Sequence, residues 1–180
     1  MDYTNYNIIK ILPGIYIADQ TIKNYINNTN TNTNTNTNTN TNDLNSIGNQ
    51  TIGDVILTTL NIKYIININN IIDNNKYISL NINVNPNIEL IESDEQLNID
   101  FNMTNDFICN ALQNNSNIII CDINNSIQFL IIGAFIVKYL YLSYTETINW
   151  LNVKFNFKVN LSKKLIYQLF LYFISTRSII

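Results

Sequence analysis

Residues 117–137 read NIIICDINNSIQFLIIGAFIV, which is an apolar run, a short polar loop and a second apolar run. The first run is rich in β-branched residues and ends on Cys121, so it predicts a buried strand. The second run begins near Ser126 and predicts a buried helix. A strand that leads through a loop into a helix presents its thiol and backbone N–H groups at a helix N-terminus, where anions bind. This stretch therefore predicts an α/β fold with a candidate anion site beside Cys121.

The rest of the chain alternates between strand and helix patterns. Predicted strands cover residues 8–11, 15–18, 62–68, 77–84 and 117–121, and predicted helices cover residues 21–27, about 54–61, 102–113, 126–142, 145–151 and 161–174. In the strand 77–84, Ile78, Leu80, Ile82 and Val84 alternate with polar residues, which predicts that one face is buried. This order predicts an α/β domain with a mostly parallel central sheet flanked by helices. In such a sheet the reactive site lies beyond the carboxyl ends of the strands.

Residues 29–42 are seven consecutive Thr-Asn pairs. The tract has no apolar side chain, and both of its residue types compete for local backbone hydrogen bonds. We expect a disordered surface insertion at about residues 27–46. The remaining chain is long enough for one core, so we expect a single domain spanning residues 1–180.

Composition excludes several classes of function. The formal net charge is −3, and no Lys/Arg cluster is present, which argues against nucleic acid or an anionic membrane as the partner. The chain has no histidine, so imidazole catalysis and His-ligated metal sites are excluded, and we expect no metal and no cofactor. The first ten residues, MDYTNYNIIK, lack a signal-peptide pattern, and the longest apolar stretch stops at Lys138. We therefore expect a cytoplasmic protein whose cysteines, Cys109 and Cys121, are free thiols.

The order of the elements and several short stretches resemble the dual-specificity phosphatase family, within the cysteine-based protein tyrosine phosphatase superfamily. The resemblance spans most of the chain and implies the fold of that family. The stretches that carry it are ILPGIYIA at 11–18, LNIKYIINI at 60–68, the strand from Tyr77, Phe107-Ile108, SYTET at 143–147 with Trp150, and Leu165 with Gln168-Leu169. The alternative is a different small α/β domain in which Cys121 is only a buried thiol.

The family motif HCxxGxSRS aligns with ICDINNSIQ at residues 120–128. The resemblance places Cys121 at the nucleophile position, but it places Ile127 at the position of the phosphate-clamping arginine and Val84 at that of the general acid. Ile120 replaces the family histidine, and Asn124 replaces the loop glycine. The remnant of the phosphate loop is Asp122, Ile123, Asn124, Asn125 and Ser126. The chain's one arginine, Arg177, lies far from this loop in sequence.

These replacements predict a member of the family that is inactive as an enzyme and acts as a binding or scaffold module. We expect Ile120 and Ile127 to be buried, and we expect Asp122 to raise the pKa of the thiol if it points inward. The alternative function is a weakly active cysteine-dependent protein Tyr/Ser/Thr phosphatase that uses Cys121, and a degenerate copy without a retained role is also open. The expected partner is a phosphoprotein or a kinase-pathway protein, and the oligomeric state stays open.

Overall fold

The computed structural model describes residues 7–19, 21–22, 52–69, 72, 75–84, 99–122, 126–155 and 162–177. Within these residues the elements are β1 (Ile8–Leu12), β2 (Ile15–Ala18), α1 (Ile52–Thr59), β3 (Ile62–Ile68), β4 (Ile78–Ile82), α2 (Phe101–Gln113), β5 (Asn117–Cys121), α3 (Ser126–Phe135), α4 (Tyr144–Lys154) and α5 (Lys163–Arg177). A π-helical turn, Ile136–Leu140, follows α3. The predicted Thr-Asn insertion at about 27–46 and most of the predicted helix 21–27 lie outside the described residues.

The five described strands form one sheet in the order β1-β2-β5-β3-β4. β1 and β2 form an antiparallel hairpin, whereas the pairs β2–β5, β5–β3 and β3–β4 are parallel. The hairpin turn contains Gly14 with φ of +77°, a backbone conformation that favours glycine. The predicted α/β class with a mostly parallel sheet is confirmed.

Helices cover both faces of the sheet and create two cores. The larger core lies between the sheet and α2, α3, α4 and α5, and the smaller core includes α1. Side chains of a strand alternate between faces, so Ile118 and Ile120 of β5 enter the larger core while Ile119 and Cys121 enter the smaller one. The alternation therefore buries Cys121 on the face of the sheet that α1 covers.

The alternation predicted for residues 77–84 is correct at one end only. Ile82 and Val84 are buried in the larger core, but Ile78 is 53% exposed. β4 is the edge strand of the sheet, and Ile78 is its first residue, so the helices that cover the sheet do not shield it. None of the helices in the described parts of the chain is long and apolar enough to cross a bilayer.

Candidate functional site

The candidate site lies where two neighbouring parallel strands end. Ala18, the last residue of β2, pairs with Cys121, the last residue of β5. The next residue in each chain segment is an aspartate, Asp19 after β2 and Asp122 after β5. The thiol therefore lies near two carboxylates at the carboxyl edge of the sheet.

The Cys121 thiol is fully buried in the smaller core. Burial raises its pKa well above the ordinary range, and the negative charges of Asp122 and Asp19 raise the pKa further. The predicted effect of Asp122 on the thiol pKa is confirmed. A cysteine nucleophile reacts as the thiolate, and at neutral pH this side chain stays protonated.

The Asp122 carboxylate is buried and faces the first turn of α3. Its Oδ2 atom accepts a hydrogen bond from the backbone N–H of Ile127 at 3.1 Å. The backbone N–H of Asp122 donates to the carbonyl of Ala18 at 3.3 Å. A free N–H group at a helix N-terminus is the kind of donor that binds an anion. In this protein the Asp122 carboxylate accepts the hydrogen bond that the Ile127 N–H could otherwise donate to an anion.

Three of the side chains that the resemblance places at altered family positions belong to the larger core. Ile127, Ile120 and Val84 are all buried there. The predicted burial of Ile127 and Ile120 is confirmed. An aliphatic side chain has no hydrogen-bond donor for a phosphoryl oxygen and no proton for a leaving group. These side chains therefore supply neither a phosphate clamp nor a general acid.

Gln128 ties the ends of β2 and β5 to the start of α3. Its Nε2 atom donates to the carbonyl oxygens of Ala18 at 2.5 Å and Ile120 at 2.9 Å. Its Oε1 atom is buried without a hydrogen-bond partner among the described residues. Sequence reasoning missed this contact. Gln128 is a polar amide within the apolar run 127–137, and that exception to the pattern could have indicated a buried hydrogen bond.

Asp19 was also missed as part of the site. Its Oδ1 atom accepts a hydrogen bond from the backbone N–H of Thr21 at 2.8 Å, and Oδ2 accepts one from Asn7 at 2.9 Å. The position of Asp19 directly after β2 could have indicated that it belongs to the site. That inference requires knowing that β2 pairs with β5.

The remaining predicted site residues are placed as follows. Ser126 is buried at the first position of α3, and Ile123, Asn124 and Asn125 lie outside the described residues. Arg177 belongs to a different part of the fold, because its guanidinium donates to the carbonyl of Leu142 at 3.4 Å. In the described ranges, no three His, Cys, Asp or Glu side chains lie close enough to hold a metal ion.

Comparison with solved structures identifies the fold. Human tyrosine phosphatase-like serine/threonine/tyrosine-interacting protein matches with a TM-score of 0.64 and 18% identity, over 93% of this chain and 95% of that chain. A leucine rich repeat and phosphatase domain containing protein from Entamoeba histolytica matches with a TM-score of 0.63 and 13% identity, over 98% and 97% of the two chains. Human DUSP28 matches with a TM-score of 0.65 and 10% identity, over 94% of each chain.

The chain therefore has the dual-specificity phosphatase fold along nearly its whole length. No sequence profile of a protein family matches it. No curated protein matches it in a sequence search.

Proposed function

We propose that this chain is a non-catalytic member of the dual-specificity phosphatase family that acts as a binding or scaffold module. The observation that carries the proposal is the Asp122 carboxylate on the Ile127 N–H, beside a buried, protonated Cys121. A substrate phosphate at this helix would have to displace a carboxylate and then approach two negative charges. Both requirements oppose binding of a dianion.

The loss of catalysis has an expected size. Removing one preorganised donor for the transition-state charge lowers a rate by ~10²–10³. Removing the general acid lowers it by a further ~10²–10⁴. If the two effects are independent, the combined loss is ~10⁴–10⁷, before the protonated state of the thiol is counted. Such a loss leaves no hydrolysis of physiological use.

A binding role is supported by the retained fold. Burial of the Ile127 side chain is worth about 1.5–3 kcal/mol relative to leaving it exposed, so this residue supports folding. One structural neighbour is named a tyrosine phosphatase-like serine/threonine/tyrosine-interacting protein, and that name describes the neighbour. By analogy, we propose a phosphoprotein or a kinase-pathway protein as the partner of this chain, and the cytoplasm as its location.

A weakly active cysteine-dependent protein phosphatase is the second candidate. It is favoured by one observation: Cys121 keeps its place at the end of a strand that leads into the N-terminus of α3. If Asp122 moved away, the first-turn N–H groups could hold an oxyanion weakly.

A phosphatase assay separates the two candidates. The wild-type protein and Cys121→Ser are compared on a small aryl phosphate, and tungstate binding is measured by calorimetry. We expect equal background rates for the two proteins and no tungstate binding. Turnover that Cys121→Ser abolishes would establish the weak phosphatase and reject the non-catalytic proposal.

A repair experiment tests the alignment with the family at this loop. The variant combines Ile127→Arg, Val84→Asp, Ile120→His, Asp122→Gln and Asn124→Gly, and its matched control adds Cys121→Ser. We expect partial hydrolysis that requires Cys121, with lower stability because a charged group enters a buried position. If the variant is folded by circular dichroism and shows no Cys121-dependent hydrolysis, the family alignment at residues 120–128 is wrong.

A further inference from the structure

Strand β4 leaves one edge of the sheet open for pairing. Among the described strands it is hydrogen-bonded to β3 alone, and its register with β3 is regular. Its five residues, ISLNI, include no charged residue and no proline. Natural sheets usually block a free edge with a lysine, a proline or a bulge, because such an edge can pair with another chain. β4 has none of these three features.

The opposite edge of the sheet is blocked in this way. β1 carries an exposed lysine, Lys10, and its register with β2 shifts between Lys10 and Leu12. A shift of this kind disturbs the row of backbone groups that a partner strand would need. One edge of the sheet is therefore protected, and the edge formed by β4 is not.

The backbone groups on the open side of β4 belong to Ser79 and Asn81. The carbonyl of Ile82 faces β3, because it accepts a hydrogen bond from the backbone N–H of Asn69, directly after β3, at 2.8 Å. The N–H and C=O groups of successive residues point to alternate sides of a strand, so every second residue counted back from Ile82 also faces β3. Ser79 and Asn81 therefore direct their backbone groups outward, and both residues are exposed.

The side chains of β4 alternate between the two faces of the sheet. Ile78 is 53% exposed, and Leu80 is half-buried against the larger core. Ile82 is buried, so the accessible apolar surface of β4 consists of Ile78 and Leu80. Ser79 lies between these two residues and on the other face.

We propose that β4 pairs antiparallel with β4 of a second copy of this chain, around a two-fold axis that places Ser79 opposite the partner's Ser79. In this register the two serines exchange their backbone hydrogen bonds, and Ile78 lies opposite the partner's Leu80. Apolar side chains then face apolar ones, serine faces serine, and no like charges meet within the strand pair. An unrelated extended peptide would need a sequence that matches this pattern, whereas a second copy matches it by symmetry.

The proposed dimer is closed and weak. It uses the one open edge of each sheet, and the protected edge formed by β1 does not support further growth. A pair of short strands buries less than the roughly 1,600 Å² of a standard interface, so we expect a dissociation constant on the order of 10–100 µM. β4 is remote in the sheet order from the β2–β5 pair that carries Cys121, so this inference goes beyond the proposed function and does not depend on lost catalysis.

Sedimentation equilibrium of the full chain, from about 5 µM to 1 mM, measures the dimer. Ser79→Pro removes the outward N–H, and an edge strand tolerates proline at such a position. This variant should raise the dissociation constant by about tenfold or more. Ser79→Ala is the matched control, because it keeps the N–H, and it should leave the constant within about twofold.

Ile78→Lys is a second variant that does not alter the backbone. It places a charge on the exposed residue that faces the partner's Leu80, and it should also weaken the dimer by about tenfold or more. Circular dichroism checks that each variant is folded.

Disulfide trapping tests the register in a Cys109→Ser background. Ser79→Cys brings two new cysteines to about 5.5 Å between Cα atoms, a separation that suits a disulfide. Asn81→Cys is the matched control, because Asn81 is also exposed and lies on the same face, but its Cα is roughly 14 Å from its copy. Diamide accepts the two electrons and two protons that a pair of thiols loses. Ser79→Cys should cross-link at least about tenfold faster than Asn81→Cys.

Several results would overturn the proposal. They are a monomer up to about 1 mM, an unchanged dimer in folded Ser79→Pro and Ile78→Lys, equal cross-linking of the two cysteine variants, or growth into assemblies larger than a dimer. Leu171 on α5 is another exposed apolar residue. A dimer that Leu171→Glu dissociates and Ser79→Pro does not would assign the association to α5 and reject the pairing of β4.

Discussion

Asp122 lies between Cys121 and helix α3, and it affects both. Toward the cysteine, its negative charge adds to burial in keeping the thiol protonated. Toward the helix, its carboxylate accepts the Ile127 N–H, as an N-capping side chain does. The same carboxylate therefore stabilises the start of α3 and helps to keep the Cys121 thiol protonated. A phosphatase needs the opposite arrangement, with a thiolate and a vacant anion site.

The two cysteines should differ in reactivity. Cys109 is half-buried on α2, whereas Cys121 is fully buried with a raised pKa. Iodoacetamide at about pH 8 should modify Cys109 in the folded protein and Cys121 only after denaturation, because the thiolate is the reacting species. Peptide mass spectrometry identifies the modified residue. Cys109→Ser is the control, and labelling of native Cys121 at the rate seen in urea would contradict the expectation.

The same thiol should make the protein less stable at alkaline pH. The folded-state pKa of Cys121 is raised, so the unfolded state loses its proton first, near the ordinary value of about 8.5. Above that pH the free energy of unfolding falls, by at most about 1.4 kcal/mol per pH unit for one group. Tyr77 and Tyr139 also have raised pKa values, but their effect begins only above about 10.

Urea unfolding at pH 7.5 and 9.5 measures this dependence. Cys121→Ala removes the titrating group, so its stability should change less between the two pH values than that of the wild type. The variant is expected to be less stable at both pH values because of lost packing, and the informative quantity is the difference between them. Identical differences in the two proteins would show that the thiol does not control the alkaline loss.

At the scale of elements, α3 is packed closely against two later helices at Gly133. An added Cβ atom there would lie 2.8 Å from Cδ2 of Leu169 on α5 and 3.2 Å from Cδ1 of Leu151 on α4. The glycine therefore lets three helices approach each other at one point, and this packing holds α3 behind the candidate site.

Substitutions at Gly133 should separate helix propensity from packing. Gly133→Ala gains up to about 1 kcal/mol of helix propensity but overpacks the site by about 1–3 kcal/mol, so it should be neutral to modestly destabilising. Gly133→Val adds two more methyl groups and should destabilise by more than Gly133→Ala. Thermal unfolding measures both. Combined with Leu169→Ala, which opens space, Gly133→Val should cost less than it does alone, and additive effects would exclude this contact as the cause.

Most elements could be predicted from the sequence because their apolar patterns are long or clear. The strand 62–68 is rich in isoleucine and matches β3 residue for residue. Ser143 and Glu146 mark the start of α4 through a capping box that the structure contains. The predicted helix 126–142 is interrupted, because α3 ends at Phe135 and continues as the π-helical turn Ile136–Leu140. Apolar content alone does not distinguish the two helix types.

The site could be predicted only in part, since its geometry depends on which strands are neighbours. The sequence indicates Cys121 at a strand end and the buried aliphatic residues Ile120 and Ile127. It does not indicate that β2 lies next to β5, and so it could not bring Asp19 near the thiol. It also could not show that the Asp122 carboxylate reaches the Ile127 N–H, because that contact depends on the path of the loop.

At the scale of the whole molecule, a fold and a catalytic site depend on different kinds of residue. The chain has the dual-specificity phosphatase fold, while the three positions that the resemblance assigns to family catalytic groups, Ile120, Ile127 and Val84, are part of the larger core. Stability of a domain comes mainly from buried apolar area, and catalysis comes from a few polar groups. Isoleucine and valine at such positions favour the first property, and their side chains have no polar group that could serve the second.

The last prediction concerns the Thr-Asn tract, residues 29–42, which lie outside the described residues. The described ends of this connection enter the same core, because Ile22, Ile56 and Leu57 all pack in the smaller core. Deleting the tract shortens the connection between Ile22 and Ile52 from 29 to 15 residues. Halving a flexible loop lowers its closure entropy cost by only about 0.6 kcal/mol, and a tract without apolar side chains contributes no core burial.

Deletion of residues 29–42 should therefore leave Tm unchanged or raise it by no more than about 3 °C. A variant in which a Gly-Ser tract of equal length replaces the repeat is the matched control and should unfold at the wild-type temperature. Differential scanning calorimetry measures all three proteins. A fall of many degrees in the deletion but not in the control would mean that the connection needs its full length. A fall in both would mean that the Thr-Asn side chains themselves pack against the domain, contrary to the prediction from their composition.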